Sequence, residues 1–245
     1  IGMGETFDGS AVLAKKALMR YRDLLSDRKS VKARFISTFL INIARACLNF
    51  VTGVVIARSL GPFDYGNFNF LLGSFVSITA LIDMGTSSAF YTFLSKKRQG
   101  MRFYCYYFSW MAIQFFFVLS LIVFIFTDSL RGMIWLGQGR SYVILAFVSS
   151  FMVDKIFQTI TAAVESVRAT LLVQIYNIAI GLLYLCAVLM IAFVFRLSVV
   201  KLFAINIIIY ALFSLLVAKK LKNAAVVKEE ITFHDMFARF KVYCA

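Results

Sequence analysis

Residues 36–60 read ISTFLINIARACLNFVTGVVIARSL, and this stretch decides the fold class. At 1.5 Å of rise per helical residue it is long enough to cross a hydrocarbon layer about 30 Å thick. Its polar residues are ordered. Thr38, Asn42, Arg45, Asn49 and Thr52 follow one another by steps of four and three, which places them on one face of a helix whose other faces are apolar. An ionisable side chain inside a span is costly and turns toward a bundle interior or a wet cavity. The stretch therefore reads as one helix of a polytopic bundle, with its hydrated side at Arg45.

Five further apolar segments follow, at 65–94, 103–127, 142–164, 171–195 and 199–218, separated by basic or Gly/Pro breaks. The second is long for one span, so residues 66–73 are expected to form a tilted or interfacial entry. The expected fold is all-α, a membrane helix bundle of six transmembrane helices over residues 35–218. A basic amphipathic segment, 1–34, precedes it and a basic stretch, 219–245, follows it. Composition agrees: 61% of the 245 residues are hydrophobic and 16% charged, against about 45–50% and about 25% in soluble domains. The mean hydropathy is +0.84.

The net charge of +14 does not point to nucleic acid, which needs Lys and Arg on a solvated face. Here they flank apolar runs. Lys15, Lys16, Arg20, Arg22, Arg28, Lys29, Lys32 and Arg34 precede span one; Lys96, Lys97, Arg98 and Arg102 follow span two; Arg168 follows span four; and Lys219, Lys220, Lys222, Lys228, Arg239 and Lys241 follow span six. The opposite side holds only Arg58, Arg131, Arg140, Arg196 and Lys201. That asymmetry, with an even number of spans, puts both termini in the cytoplasm. Residues 11–25 carry apolar positions at helical spacing between basic ones and read either as a helix lying on the inner leaflet or as a basic topogenic tail. Residues 1–10 include Glu5 and Asp8 and lack the layout of a signal peptide.

Cys47, Cys105, Cys186 and Cys244 are too scattered for a disulfide framework or a metal spacing and read as small apolar fillers. No metal cluster, cofactor fingerprint, Walker loop or nucleophile elbow is present, and the single His234 lies outside the spans. The chain is expected not to be an enzyme, and no cofactor is expected.

Polar stripes recur in other spans. Span four aligns Ser150, Asp154, Gln158, Thr161 and Glu165, with Lys155 just off the stripe; span five aligns Gln174, Asn177, Gly181 and Tyr184; span two offers Gly73, Ala80, Asp83 and Ser87. Small and amide residues also serve as packing and hydrogen-bonding glue between membrane helices, and the stripes of spans two and five fit that role too. Asp83 reads either as an interfacial group or as a packing contact. Lys155 reads as locally neutralised by Asp154, although adjacent residues do not face each other on a helix.

The segment 58–89, RSLGPFDYGNFNFLLGSFVSITALIDMGTSSA, resembles the start of the polysaccharide transporters, the O-antigen and lipid-linked oligosaccharide flippases of the multidrug/oligosaccharidyl-lipid/polysaccharide exporter superfamily. Arg58, Leu60, Gly61, Pro62, Tyr65, Gly66 and Phe68 match the R-x-L-G-P-x-x-Y-G-x-F loop of that family, and Asp83, Gly85 and Ala89 match a later D-x-G motif. Physically, Gly61 ends span one at positive φ, Pro62 cannot continue that helix, and Gly66 restarts the chain.

The resemblance implies two six-helix lobes rocking about a central cavity, with this chain as the N-terminal lobe. A missing C-terminal lobe or a homodimer partner would complete the transporter, and 219–245 would lead toward the second lobe. It implies flipping of a polyprenyl-diphosphate-linked oligosaccharide across the bacterial cytoplasmic (inner) membrane for cell-surface polysaccharide synthesis. In that frame Arg45 binds the diphosphate, because a guanidinium is a forked, charged donor suited to phosphate oxygens. Asn42, Asn49, Gln174 and Asn177 bind sugar hydroxyls, and Asp83, Asp154, Lys155 and Glu165 serve coupling to a proton or Na+ or close a gate. The alternatives are a cation-coupled multidrug exporter of the same superfamily, a non-transporting membrane scaffold for glycan-assembly enzymes and, third, a membrane enzyme.

Overall fold

The structure is a computed structural model that describes residues 31–96, 99–125, 128–135, 137–166, 170–194 and 197–224. Residues 11–25, read as an inner-leaflet helix or a topogenic tail, and the basic stretch beyond 224 lie outside the described residues. Among those described, all regular structure is helical: α1 (Val31–Leu60), α2 (Pro62–Asp83), α3 (Thr86–Lys96), α4 (Met101–Ser120), α5 (Asp128–Ile134), α6 (Arg140–Phe151), α7 (Gln158–Ser166), α8 (Thr170–Val194) and α9 (Val199–Ala224). Two π-helical segments, Leu121–Ile125 and Met152–Phe157, extend α4 and join α6 to α7. Six stretches are long and apolar enough to cross a membrane: Thr38–Leu60, Pro62–Asp83, Met101–Phe124, Arg140–Ser166, Leu172–Val194 and Val199–Lys219. The protein is thus an all-α, multi-pass membrane helix bundle. Its chain divides into two compact units, one ending at Ala44 and one beginning at Arg45; the described part of the first is helical.

The junction after span one follows from Gly61 and Pro62. Gly61, at φ 79°, donates its N–H to the Ala57 carbonyl (3.1 Å) and accepts from the Tyr65 N–H (3.1 Å), so one residue closes α1 and opens α2. A positive φ is inexpensive only for glycine. Pro62 is the first helical residue, where its missing N–H would have no intrahelical partner anyway and its fixed φ suits the helix. This corrects the expected entry at 66–73: α2 starts at Pro62, and Gly66 lies inside it rather than restarting the chain.

The second span also ends earlier than expected. In place of one helix over 65–94, α2 stops at Asp83, Met84 (φ 45°) and Gly85 (φ 80°) turn left-handed, and α3 begins at Thr86. A Cβ added at Gly85 would meet nothing within 4 Å, so the cost of replacing it is conformational and not steric. Gly85→Ala is expected to lower stability by about 1–2 kcal/mol, checked by denaturant unfolding of the detergent-solubilised protein.

Span four is the most buried of the six, and its aromatic side chains anchor the core. Phe147 packs on Phe75 (5.5 Å between ring centroids) and Phe115 (5.2 Å), while Phe75 stacks on Trp135 (5.6 Å) from the connection after α5. The short helix α5, unforeseen from the apolar pattern, brings that fully buried indole into the bundle. On the outside, Phe50, Phe116, Phe124, Phe193 and Leu215 are exposed, as lipid-facing side chains of a membrane protein are. Cys47, Cys105 and Cys186 are exposed on helix surfaces too, so they fill no core position, contrary to their reading as apolar fillers. With no Gly or Pro at 219–224 to stop it, α9 continues past the expected end at 218.

Candidate functional site

A cleft of about 480 Å³ lies among the first, fourth, fifth and sixth spans, within the second unit. Span one contributes Arg45 and Asn49; span four Gln158, Thr161 and Glu165; span five Gln174, Asn177, Gly181 and Tyr184; span six Asn206 and Tyr210. Helical phase explains the selection, because each set recurs every three or four residues and so shares a face. Along span four the wall runs from Val153 to Glu165, about 18 Å at 1.5 Å per residue. It therefore reaches from the end that adjoins the connection to span five to about the middle of the helix.

The cleft is lined by amides, hydroxyls and two opposite charges. Arg45 is exposed and Glu165 half-buried, and among the described residues neither makes a hydrogen bond or an ion pair, with each other or with a third group. Gln174 is buried, and its Oε1 accepts no hydrogen bond among the described residues. A charge within a span and a buried amide acceptor left open are expensive against lipid. Such a surface needs water or a polar ligand against it.

A second polar cluster lies at the break between α2 and α3. The Asp83 carboxylate accepts from the Lys155 ammonium (2.5 Å), the Thr86 hydroxyl (3.0 Å), and the Ser87 hydroxyl (2.7 Å) and N–H (3.2 Å). The Ser87 hydroxyl also lies 3.1 Å from the Tyr107 hydroxyl of α4, and the Gln114 side chain of α4 donates to the Ile82 carbonyl (3.2 Å). One carboxylate thus ties the end of α2, the start of α3, span four and, through Ser87, span three. Lys155 is buried, so this is a desolvated pair rather than a surface bridge.

The structure sorts the residues singled out from sequence. Arg45, Asn49, Gln174 and Asn177 share the cleft, and Glu165 joins them; Asn42 is exposed and belongs to the first unit. Thr52, on the same stripe, is buried and donates to the Leu48 carbonyl of its own helix (2.7 Å). The four residues expected to couple or gate do not form one group. Asp154 accepts from Ser150 (3.0 Å) and Gln158 (3.3 Å) of its own span, while Lys155 turns to Asp83, which overturns its reading as neutralised by Asp154. Arg58, Gly61, Pro62, Tyr65 and Gly66 build the junction between spans one and two, where the Tyr65 hydroxyl lies 3.9 Å from a Cβ added at Gly53.

Asn206 and Tyr210 were not foreseen, although a polar pair one turn apart in span six is the signal that would have found them. Thr86, which donates to Asp83, and Tyr107, whose hydroxyl meets that of Ser87, were missed because the cluster is built across a helix break that hydropathy does not show. Among the described residues no group of three His, Cys, Asp or Glu side chains is placed to hold a metal ion. No protein-family model, curated protein or solved structure matches the chain.

Proposed function

We propose that the protein is one lobe of a flippase that carries a polyprenyl-diphosphate-linked oligosaccharide across the bacterial cytoplasmic membrane by alternating access. A second lobe or a second copy of the chain completes the cavity, and both termini are cytoplasmic. The observation that carries this reading is the cleft: an Arg45 and a buried Gln174 amide oxygen that find no partner among the described residues, and a wall of Asn, Gln and Tyr side chains inside a membrane bundle. The guanidinium suits a diphosphate. Asn49, Gln158, Asn177, Asn206 and Tyr210 suit a ligand rich in hydroxyl groups, while the polyprenyl chain stays in lipid. Asp154 and Glu165 are the carboxylates available for a coupling proton or Na+. The resemblance of Arg58–Ala89 to the polysaccharide transporters supports the same assignment.

One feature favours a cation-coupled exporter of cationic compounds as the second reading: Glu165 offers the same cleft a carboxylate with no partner among the described residues. Either transporter needs the cleft to be wet. A scaffold would instead use its polar stripes as dry packing seams.

The test is labelling of Asn49→Cys and Asn177→Cys, each in a chain whose native cysteines are Ser, by a membrane-impermeant thiol reagent. Both positions are expected to label to completion in intact or inverted vesicles, since a hydrated thiol ionises and reacts while one packed against apolar groups does not. No labelling at either position from either side would sink the transport reading in favour of the scaffold.

A further inference from the structure

Span four contains a device that the transport reading does not use. Between Phe151 and Gln158 the helix widens into the π-helical turn Met152–Phe157. A π turn accommodates one residue more than the corresponding α-helical turn and seldom persists without a reason. Because one residue turns an α-helix by about 100°, the widened turn decides which side chains beyond it face the cleft. Gln158, Thr161 and Glu165 do so. Lys155, on the turn itself, leaves in another direction, toward Asp83.

The hydrogen bonds from Ser150 and Gln158 to Asp154 lie within the span itself and give it no outside reference. The Lys155 bond does give one. Its acceptor is held in place by Thr86 and Ser87 at the α2–α3 break, and Lys155 is only 7% exposed, so the pair tolerates little displacement.

We propose that the Asp83–Lys155 pair is a register lock, two positioning residues that hold span four in its widened state and so keep Gln158, Thr161 and Glu165 on the cleft wall. Without the pair the turn closes to an α-helix. The part of the span beyond it then rotates by about 100° relative to the part before it, which takes these three side chains off the wall. A buried ion pair in this position acts through arrangement more than through net stability, since desolvation offsets most of its Coulomb attraction.

The experiment is a nitroxide scan of residues 141–151 and 156–166 in the bilayer-reconstituted chain, reading collision with oxygen at each position. Lipid-facing sites peak once per helical turn, so the two stretches each give a phase. The test variant is D83N/K155M, which removes both charges and leaves no buried ion unpaired. Its phase across 156–166 is expected to shift by about 100° relative to 141–151, whereas Lys155→Arg, which keeps the pair, leaves the phase unchanged. An unshifted phase in D83N/K155M would overturn the lock, because packing alone would then hold the turn. Should the double variant not fold, D83N/K155Q, which also leaves no buried ion unpaired, is read by the same criterion. The scan reads helix orientation and not transport, so its outcome is separate from that of the cysteine labelling.

Discussion

Replacing Lys155 by Met is expected to destabilise the folded protein by about 3–5 kcal/mol, the range for removing one partner of a buried ion pair. The substitution is close in length and apolar, so little packing is lost. The cost arises at Asp83, which keeps its hydrogen bonds from Thr86 and Ser87 but loses the positive charge that allows a carboxylate to sit there. Removing the second charge as well should recover the electrostatic part of the loss, because a neutral Asn in place of Asp83 no longer needs a counter-ion. Denaturant unfolding of the wild type, Lys155→Met and the double variant in one detergent checks this. A Lys155→Met protein within about 1 kcal/mol of wild type would show a pair behaving as a solvent-screened surface bridge.

The second large effect falls on Arg45, and it rests on the proposed function. A hydrogen bond to a charged group contributes about 1.5–3 kcal/mol, so Arg45→Ala is expected to weaken binding of a lipid diphosphate by roughly 10- to 100-fold. Surface-glycan export should fall with it in cells that depend on this protein. Arg45→Lys should lie between, keeping the charge while losing the planar fork. Arg45 makes no hydrogen bond or ion pair among the described residues. Its removal should therefore leave unfolding unchanged, which separates loss of ligand binding from loss of structure. Unaltered export in Arg45→Ala would end the assignment of this residue to the diphosphate.

Much of the cleft is legible in the sequence. In a span every outward position is apolar, so the exceptions at Arg45, Asn49, Gln174, Asn177 and Glu165 stand out, and a shared helical phase brings each set to one face. The helix break at Met84 and Gly85 is not legible from hydropathy, since Met, Gly and Thr do not interrupt an apolar run. Gly85 carries the only local hint. The widened turn at Met152–Phe157 leaves no trace at all, because its residues read as ordinary helix.

By itself, the sequence determined the class of the protein and the location of its spans. A bilayer forces backbone groups to bond within each helix, so length, apolarity and breaks gave six apolar helices as expected, although the second ends at Asp83 and not at 94. It also determined which residues share a polar face within an unbroken helix, because helical phase is a local property; across the π turn of span four that phase is not continuous. Pairing was decided only by the tertiary structure. Lys155 and Asp83 are separated by 72 positions; local geometry speaks against the adjacent Asp154 but does not point to Asp83. The pair joins a residue on the π-helical turn to a carboxylate pre-positioned by Thr86 and Ser87, and only the approach of one span to another brings the two together.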